Sequence, residues 1–297
     1  MSNYYVNTTM LNVRSTPDSR SDANIVFRLQ RYRIVEVLAK SSPDWWEISA
    51  PVKGFVASRF LMALAEEPEK VTQVGEVHCP RDPRSNLNSK GMMHCPMGVS
   101  IPFRDMTSVD SRIRSAHEIV DKLDVANTRR YSRTAENTFC NVYAYDFCYF
   151  NKAYLPRVWW NDRAIKELMQ GRELTVETGV TVNEMNANAL HNWLMSWGDD
   201  FGWSRVKTGA DDFQQLINTN GGVGVICARR RDRTRSGHIT VVLPEREPSL
   251  VATRSSGKVL YPLQSQAGTV NLKYFSASQG AWWAGEKFDS FGMFYHE

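Results

Sequence analysis

Residues 136–147 read Glu136-Asn137-Thr138-Phe139-Cys140-Asn141-Val142-Tyr143-Ala144-Tyr145-Asp146-Phe147. Much further on, Ser236-Gly237-His238 opens the apolar run Ile239-Thr240-Val241-Val242-Leu243. The first stretch predicts the start of an amphipathic helix, with Thr138 as N-cap and Cys140 in the first turn. A thiol there faces the positive end of the helix dipole and unpaired backbone N–H groups. Both favour thiolate, the nucleophilic form. The second stretch predicts a strand that begins with a histidine. A cysteine hydrolase needs a thiolate and an imidazole that pairs with it and later protonates the leaving amine. It also needs a polar group that fixes the imidazole tautomer. Cys140 and His238 suit the first two roles. Gln266, beside the small pair Ala267-Gly268 on the next strand, is the candidate for the third. Glu245 is a weaker candidate, expected to face water past the end of the His238 strand. The plainer alternative for Cys140 is a small buried side chain.

The surrounding pattern sets these residues in an α+β domain over residues 105–297. Ile113, Ala116, Ile119, Val120 and Leu123 recur at helical spacing in Val109–Val125. The Cys140 helix follows and is expected to run to Leu155-Pro156, with Val142, Tyr143 and Phe147 on its buried face. Further helices are predicted at Arg163–Met169, Ala187–Trp197 and Phe213–Asn218. Strands are predicted at Val223–Ala228, at His238–Leu243, over Val259–Gln266 and at Phe291–His296. Helices first and strands afterwards give the α+β order. Cys148 and Cys227 read as core, and His117 and His191 as structural or solvent-facing. The tract Arg229-Arg230-Arg231-Asp232-Arg233-Thr234-Arg235 reads as a solvated hairpin loop. It could also steer the protein to an anionic wall or touch nucleic acid.

Several segments of this domain resemble the NlpC/CHAP-like papain-fold proteins. They are Arg129-Arg130-Tyr131, Thr138–Asp146 with its Cys-Asn-x-Tyr-x-x-Asp spacing, Leu155-Pro156, Asn186-Ala187-Asn188, Trp193-Leu194, Gly198, Phe201-Gly202-Trp203, Gly237–Val242 and Gln266-Ala267-Gly268. The resemblance implies a papain-like domain with helices packed on an antiparallel sheet, and amide hydrolysis in peptidoglycan. The bond would be either the sugar–peptide amide or one within the stem peptide. It makes Cys140 the nucleophile, His238 the base and Gln266 the orienting residue, with the Cys140 backbone N–H as an oxyanion donor. Glutamine departs from the His, Asp, Glu or Asn common at the third position and would orient without supplying charge. Asn141 and Tyr143, beside the thiol, are expected substrate contacts. No cofactor is implied.

Residues 1–64 predict closely spaced strands at Leu11–Arg14, Ile25–Leu29, Tyr32–Leu38, Trp45–Ser49 and Gly54–Val56, separated by Pro, Asp and Gly, as in a small β-barrel. Leu11-Asn12-Val13-Arg14-Ser15-Thr16-Pro17, Trp45-Trp46-Glu47-Ile48 and Gly54-Phe55-Val56-Ala57-Ser58-Arg59-Phe60-Leu61 resemble a bacterial SH3-type domain. That resemblance implies wall binding, with Trp45 and Trp46 as substrate contacts, although either ring could instead serve the core. Residues 65–104 are expected to be a linker and irregular segment, beginning with the polar Ala65–Lys70. The segment holds His78-Cys79 and His94-Cys95. Zinc ligation and a 79–95 disulfide are both open. Unpaired thiols in a surface loop are the favoured expectation, and no metal is assigned.

The 297 residues carry a net charge of +4, with 42% hydrophobic and 23% charged side chains, which suits a globular protein and does not require a nucleic-acid partner. An odd count of five cysteines is not a disulfide framework. No stretch approaches the roughly 20 apolar residues of a membrane span. Met1–Asn7 lacks a basic region followed by an apolar run, so no signal peptide is expected. The sequence expectation is therefore a peptidoglycan hydrolase made in the cytoplasm and acting in the periplasm or wall. Delivery would be by a secretion machine, as for a type VI effector with an immunity protein as partner, or by release as a phage lysin. The alternatives are a non-catalytic wall-binding protein and a cysteine protease or transglutaminase-type toxin acting on host protein.

Overall fold

A computed structural model of the chain describes residues 2–64 and 74–297. The polar linker expected at Ala65–Lys70 lies outside the described residues. In chain order the elements begin with strands β1 (Ser2–Val6), β2 (Met10–Arg14), β3 (Ile25–Gln30), β4 (Ile34–Ala39), β5 (Trp45–Ala50), β6 (Gly54–Ala57) and β7 (Leu61–Ala63). Next come α1 (Val109–Leu123), α2 (Cys140–Phe150), β8 (Val158–Trp160), α3 (Asp162–Met169), β9 (Val182–Glu184), α4 (Ala187–Ser196), β10 (Ser204–Val206) and α5 (Ala210–Asn220). The chain ends with β11 (Val223–Arg230), β12 (His238–Val242), β13 (Thr253–Ser255), β14 (Lys258–Tyr261), β15 (Gln264–Gln266), β16 (Leu272–Phe275) and β17 (Phe288–His296).

Two compact units result. The first is Met1–Gly75 with Asn161–Thr175, and the second is Glu76–Trp160 with Val176–Glu297. This division differs from the sequence boundaries at 64 and 105. Helix α3 joins the first unit, where Arg31 pairs with Asp162 at 2.9 Å, and residues 76–104 join the second.

The first unit is a seven-stranded antiparallel sheet in the order β3-β2-β6-β5-β4-β1-β7. Alternating side chains place Leu11, Val13, Val37, Ile48 and Val56 in one core. Gly54 allows β6 to approach β2, because a Cβ there would meet Val13 Cγ1 at 2.6 Å. The expected barrel is corrected: β3 and β7 stand at opposite edges of the sheet, and no pairing closes it among the described residues. Strands β1 and β7 were not predicted. The adjacent pair Tyr4-Tyr5 blurs the alternation of β1, and β7 is only three residues long.

The second unit has helices followed by a six-stranded antiparallel sheet, ordered β10-β17-β11-β12-β15-β16. Ser108 caps α1 by accepting from the Ser111 N–H at 3.0 Å, and Asn186 caps α4 by accepting from the Ala189 N–H at 3.0 Å. Pro262 divides the single strand expected over Val259–Gln266 into β14 and β15. Helix α2 stops at Phe150, earlier than expected, and almost all its side chains are buried. It packs on β12 and β15, which brings residues distant in sequence to its first turn. Under it, Arg130 and Asp146 form a two-point ion pair at 2.6 and 3.2 Å, and the Tyr131 hydroxyl donates to the same carboxylate at 2.9 Å. No helix of the described residues is long and apolar enough to cross a membrane.

Residues 76–104 contain no helix or extended strand, yet Cys79, Asp82, Ser85, Cys95, Met97 and Ile101 are buried. The surface loop expected for Cys79 and Cys95 is therefore corrected. Two buried arginines pin this segment from the helical side: Arg130 donates to the Lys90 carbonyl and Arg157 to that of Met93. Those bonds satisfy backbone groups that have no ladder of their own.

Candidate active site

Helix α2 begins at Cys140 with Phe139 as its N-cap, and no side chain caps it. Thr138 is not the cap, since it lies one residue too early. The uncapped start leaves first-turn N–H groups for other acceptors. The Cys140 sulfur is close enough to the Asn141 and Ile239 backbone N–H groups and to the His238 imidazole for all three to favour its thiolate. Burial pushes this thiol up, but the His238 bond, the imidazole charge and the two backbone donors outweigh it and bring Cys140 below the ordinary thiol value.

His238 opens β12 opposite Ala228 of β11. Gly237 before it is required by close approach, because a Cβ would lie 2.3 Å from the Ala228 carbonyl oxygen and 2.7 Å from Asn188 Oδ1. Asn188 fixes the base of this hairpin by accepting from the Arg230 N–H at 2.8 Å and donating to the Arg235 carbonyl at 2.9 Å. No local pattern in the sequence marks Asn188 for this bracing role, because its partners lie more than forty residues away.

The imidazole Nε2–H donates to Gln266 Oε1 at 2.8 Å. The Gln266 amide orientation is fixed from its other side, where Nε2 donates to the Val270 carbonyl at 3.2 Å. Nε2 thus carries the ring proton, and Nδ1 is left for Cys140. The same diagonal offset between β12 and β15 recurs one rung along, where Thr240 Oγ1 donates to Gln264 Oε1 at 2.9 Å. Burial pushes His238 down, but its bonds to Cys140 and Gln266 raise it above the ordinary imidazole value, with Lys287 a smaller opposing influence.

Trp282 covers this pair edge-on, with its ring 4.7 Å from that of His238. Its indole N–H is held by Gln264 Oε1 at 3.0 Å. Nothing in the sequence separates Trp282 from the other tryptophans, since its role depends on a loop that returns from the far end of the sheet. His238, Gln266 and Trp282 line a cleft of about 670 Å³. Its charged wall residues are Glu136, Arg230, Arg235 and Lys287, three cations to one carboxylate. The basic tract is therefore divided: Arg230 and Arg235 face the cleft, while Arg229 and Arg233 are paired with Asp289. Cys140 is 3% exposed and is not part of the cleft wall.

The other candidates sort by their contacts. Tyr143, expected as a substrate contact, is buried with its hydroxyl 2.6 Å from Ser265 Oγ. The Asn141 side chain is also committed, donating to the Met185 carbonyl at 2.9 Å. Glu245 does not face water and does not reach His238. Its side chain is 8% exposed, and its carboxylate is held by Arg254, Asn218 and the Ala252 N–H. Trp45 lines a second groove of about 400 Å³ in the first unit, together with Arg14, Asp44, Arg59 and Phe60. Trp46 points to the other face, packs on that unit's core and meets Tyr4 edge-on at 4.9 Å. Cys148 and Cys227 are buried, and burial raises both thiols well above their usual value. His117 is buried with Nε2 2.9 Å from the Pro244 carbonyl oxygen, and His191 is buried with Nε2 3.1 Å from Ser290 Oγ.

No protein-family model, curated protein or solved structure matches this chain.

Proposed function

We propose that this protein is a cysteine hydrolase that cleaves an amide bond of peptidoglycan, with Cys140 as nucleophile, His238 as general base and acid, and Gln266 as the orienting residue. The carrying observation is the convergence of three side chains from α2, β12 and β15: the Cys140 thiol lies beside the His238 imidazole, whose Nε2–H donates to a Gln266 amide oriented by the Val270 carbonyl. The second unit is read as a papain-like domain of NlpC/CHAP type. The first is read as an SH3-like wall-binding module with Trp45 at its binding groove. Both assignments rest on the resemblance of their sequence motifs. The cationic wall of the cleft supports a substrate that carries carboxylates, as stem peptides do.

In this mechanism the Cys140 thiolate attacks the amide carbonyl carbon. Negative charge moves to the carbonyl oxygen, where the Cys140 backbone N–H can receive it, because the first residue of a helix has no intrahelical acceptor. Protonated His238 Nδ1 gives its proton to the departing amine nitrogen as the carbon–nitrogen bond breaks, leaving a thioester. Neutral His238 then takes a proton from water, the resulting hydroxide attacks the thioester carbon, and the thiolate departs with the site restored. Gln266 keeps Nε2 protonated throughout, so Nδ1 always faces the reaction.

Purified sacculi treated with the intact protein should release soluble muropeptides. Cys140→Ala should reduce release by at least about 10³-fold while the circular dichroism spectrum stays unchanged. Mass analysis of the fragments then distinguishes amidase from endopeptidase. Binding of sacculi without release across several wall chemotypes would sink the catalytic reading in favour of a wall-binding protein. Modification of host proteins with walls untouched would favour a toxin.

A further inference from the structure

Cys79, His94 and Cys95 place their ligand atoms within 4.8 Å of one another, the one such His/Cys/acid cluster found among the described residues. Both cysteines are buried and His94 is half-buried. We infer that these three side chains form a zinc site that holds the irregular segment 76–104 together, at a place separate from the Cys140 site.

The donor set decides the ion. Two thiolates and one imidazole suit zinc, and make a poor site for magnesium or calcium, which prefer oxygen. Tetrahedral zinc keeps its ligand atoms roughly 3.5–3.8 Å apart, so closure requires movements of no more than about 1 Å. A zinc ion with two thiolates and a neutral imidazole carries no net charge, and its binding releases the two thiol protons. The fourth position is left for water, which can enter on the half-buried His94 side. The Thr178 hydroxyl, 3.6 Å from Cys79 Sγ, is placed to orient that sulfur.

The segment's architecture supplies an independent reason. Residues 76–104 have only two isolated bridges, Asp82 with Met97 and Asn86 with Ser89, in place of a helix or sheet. Cys79 stands before the Asp82–Met97 bridge, and His94-Cys95 just before its far partner. A metal there would close the loop at the point where backbone pairing is weakest, as structural zinc does in small irregular modules. His94 and Cys95 are neighbours in the chain, and neighbouring side chains rarely converge on one ion. Here they do so because the backbone turns, with the Cys95 N–H bonded to the Met92 carbonyl at 3.0 Å.

The test uses the full-length protein. Elemental analysis after desalting should find about one zinc per chain. Cys79→Ser and Cys95→Ser should each lose it, whereas Cys140→Ser and Cys148→Ser should keep it. Because the first two variants could fail to fold, metal-free wild-type protein should also be titrated with Co²⁺. A thiolate-to-cobalt charge-transfer band that saturates at about one equivalent is expected. Wild-type protein without zinc and without that band would overturn the inference. So would a native peptide map showing Cys79 joined to Cys95 by a disulfide, or loss of zinc in Cys140→Ser.

Discussion

His238 donates its Nε2–H to Gln266 at 2.8 Å, so the ring nitrogen facing Cys140 is Nδ1. A neutral amide at this point accepts from imidazole and imidazolium equally well in geometry, but adds no charge to favour the imidazolium. The burden of stabilising the ion pair therefore falls on the thiolate and on the N–H groups of Asn141 and Ile239 around it.

Gln266→Ala should lower kcat by about 10²-fold, at the low end of what general acid–base catalysis contributes, with KM little changed. Glu245→Ala removes a carboxylate bound to Arg254, Asn218 and the Ala252 N–H, so it should lower the melting temperature and leave kcat near that of the parent. Steady-state kinetics with thermal melts on both variants checks the assignment. The opposite pattern would transfer the orienting role to Glu245.

The pH–rate profile should be bell-shaped. Activity should rise as Cys140 loses its proton, at a pH below the ordinary thiol range, and should fall as His238 loses its proton, above the ordinary imidazole range. The two groups titrate as a coupled pair. Burial and Lys287 push His238 down while Gln266 pushes it up. Lys287→Gln should therefore move the alkaline limb to higher pH, and the residual activity of Gln266→Ala should show it at lower pH. A profile of kcat/KM from acid to alkaline buffer reads all three.

Asp146→Ala should destabilise the protein by about 3–5 kcal/mol, because it leaves the buried Arg130 guanidinium without its counter-charge. Chemical denaturation with intrinsic tryptophan fluorescence measures this. A change below about 1 kcal/mol, the range of an exposed pair, would show that the Arg130–Asp146 contact is solvated in solution.

Trp45 and Trp46 should separate cleanly. Trp45→Ala empties part of the first unit's groove and should weaken sacculus binding with a small effect on stability. Trp46→Ala removes a ring packed against the core, and should cost about 1–3 kcal/mol, under the roughly 3–5 kcal/mol of a fully buried aromatic. Co-sedimentation with sacculi and thermal melts report the two effects separately.

What the sequence revealed followed periodicity and local chemistry. Helix α1, the apolar run of β11 and the histidine at the start of β12 were legible because each carries its pattern within about ten residues. The α2 start was legible too, but not its cap, since Thr138 and Phe139 differ by one position and a capping residue is recognised by composition alone. Trp282 was hidden for a different reason: it reaches His238 only through sheet order, which no local pattern encodes. Tyr143 is buried as the helical spacing predicts, and its hydroxyl is taken by Ser265. Glu245 differs from expectation because exposure was inferred from polarity, whereas a polar atom can be buried when a partner such as Arg254 waits for it.

Helix α3 interrupts the second unit's chain and yet belongs to the first. Each unit is therefore built from two separate stretches of the chain. Cutting the chain between residues 64 and 76 would leave residues 161–175 attached to the wrong piece, and a fragment of 105–297 alone would carry a helix without the Arg31 that pairs with Asp162. Recombining either unit with a foreign partner requires moving two chain segments together. Duplication or exchange of one contiguous stretch would not transfer it intact.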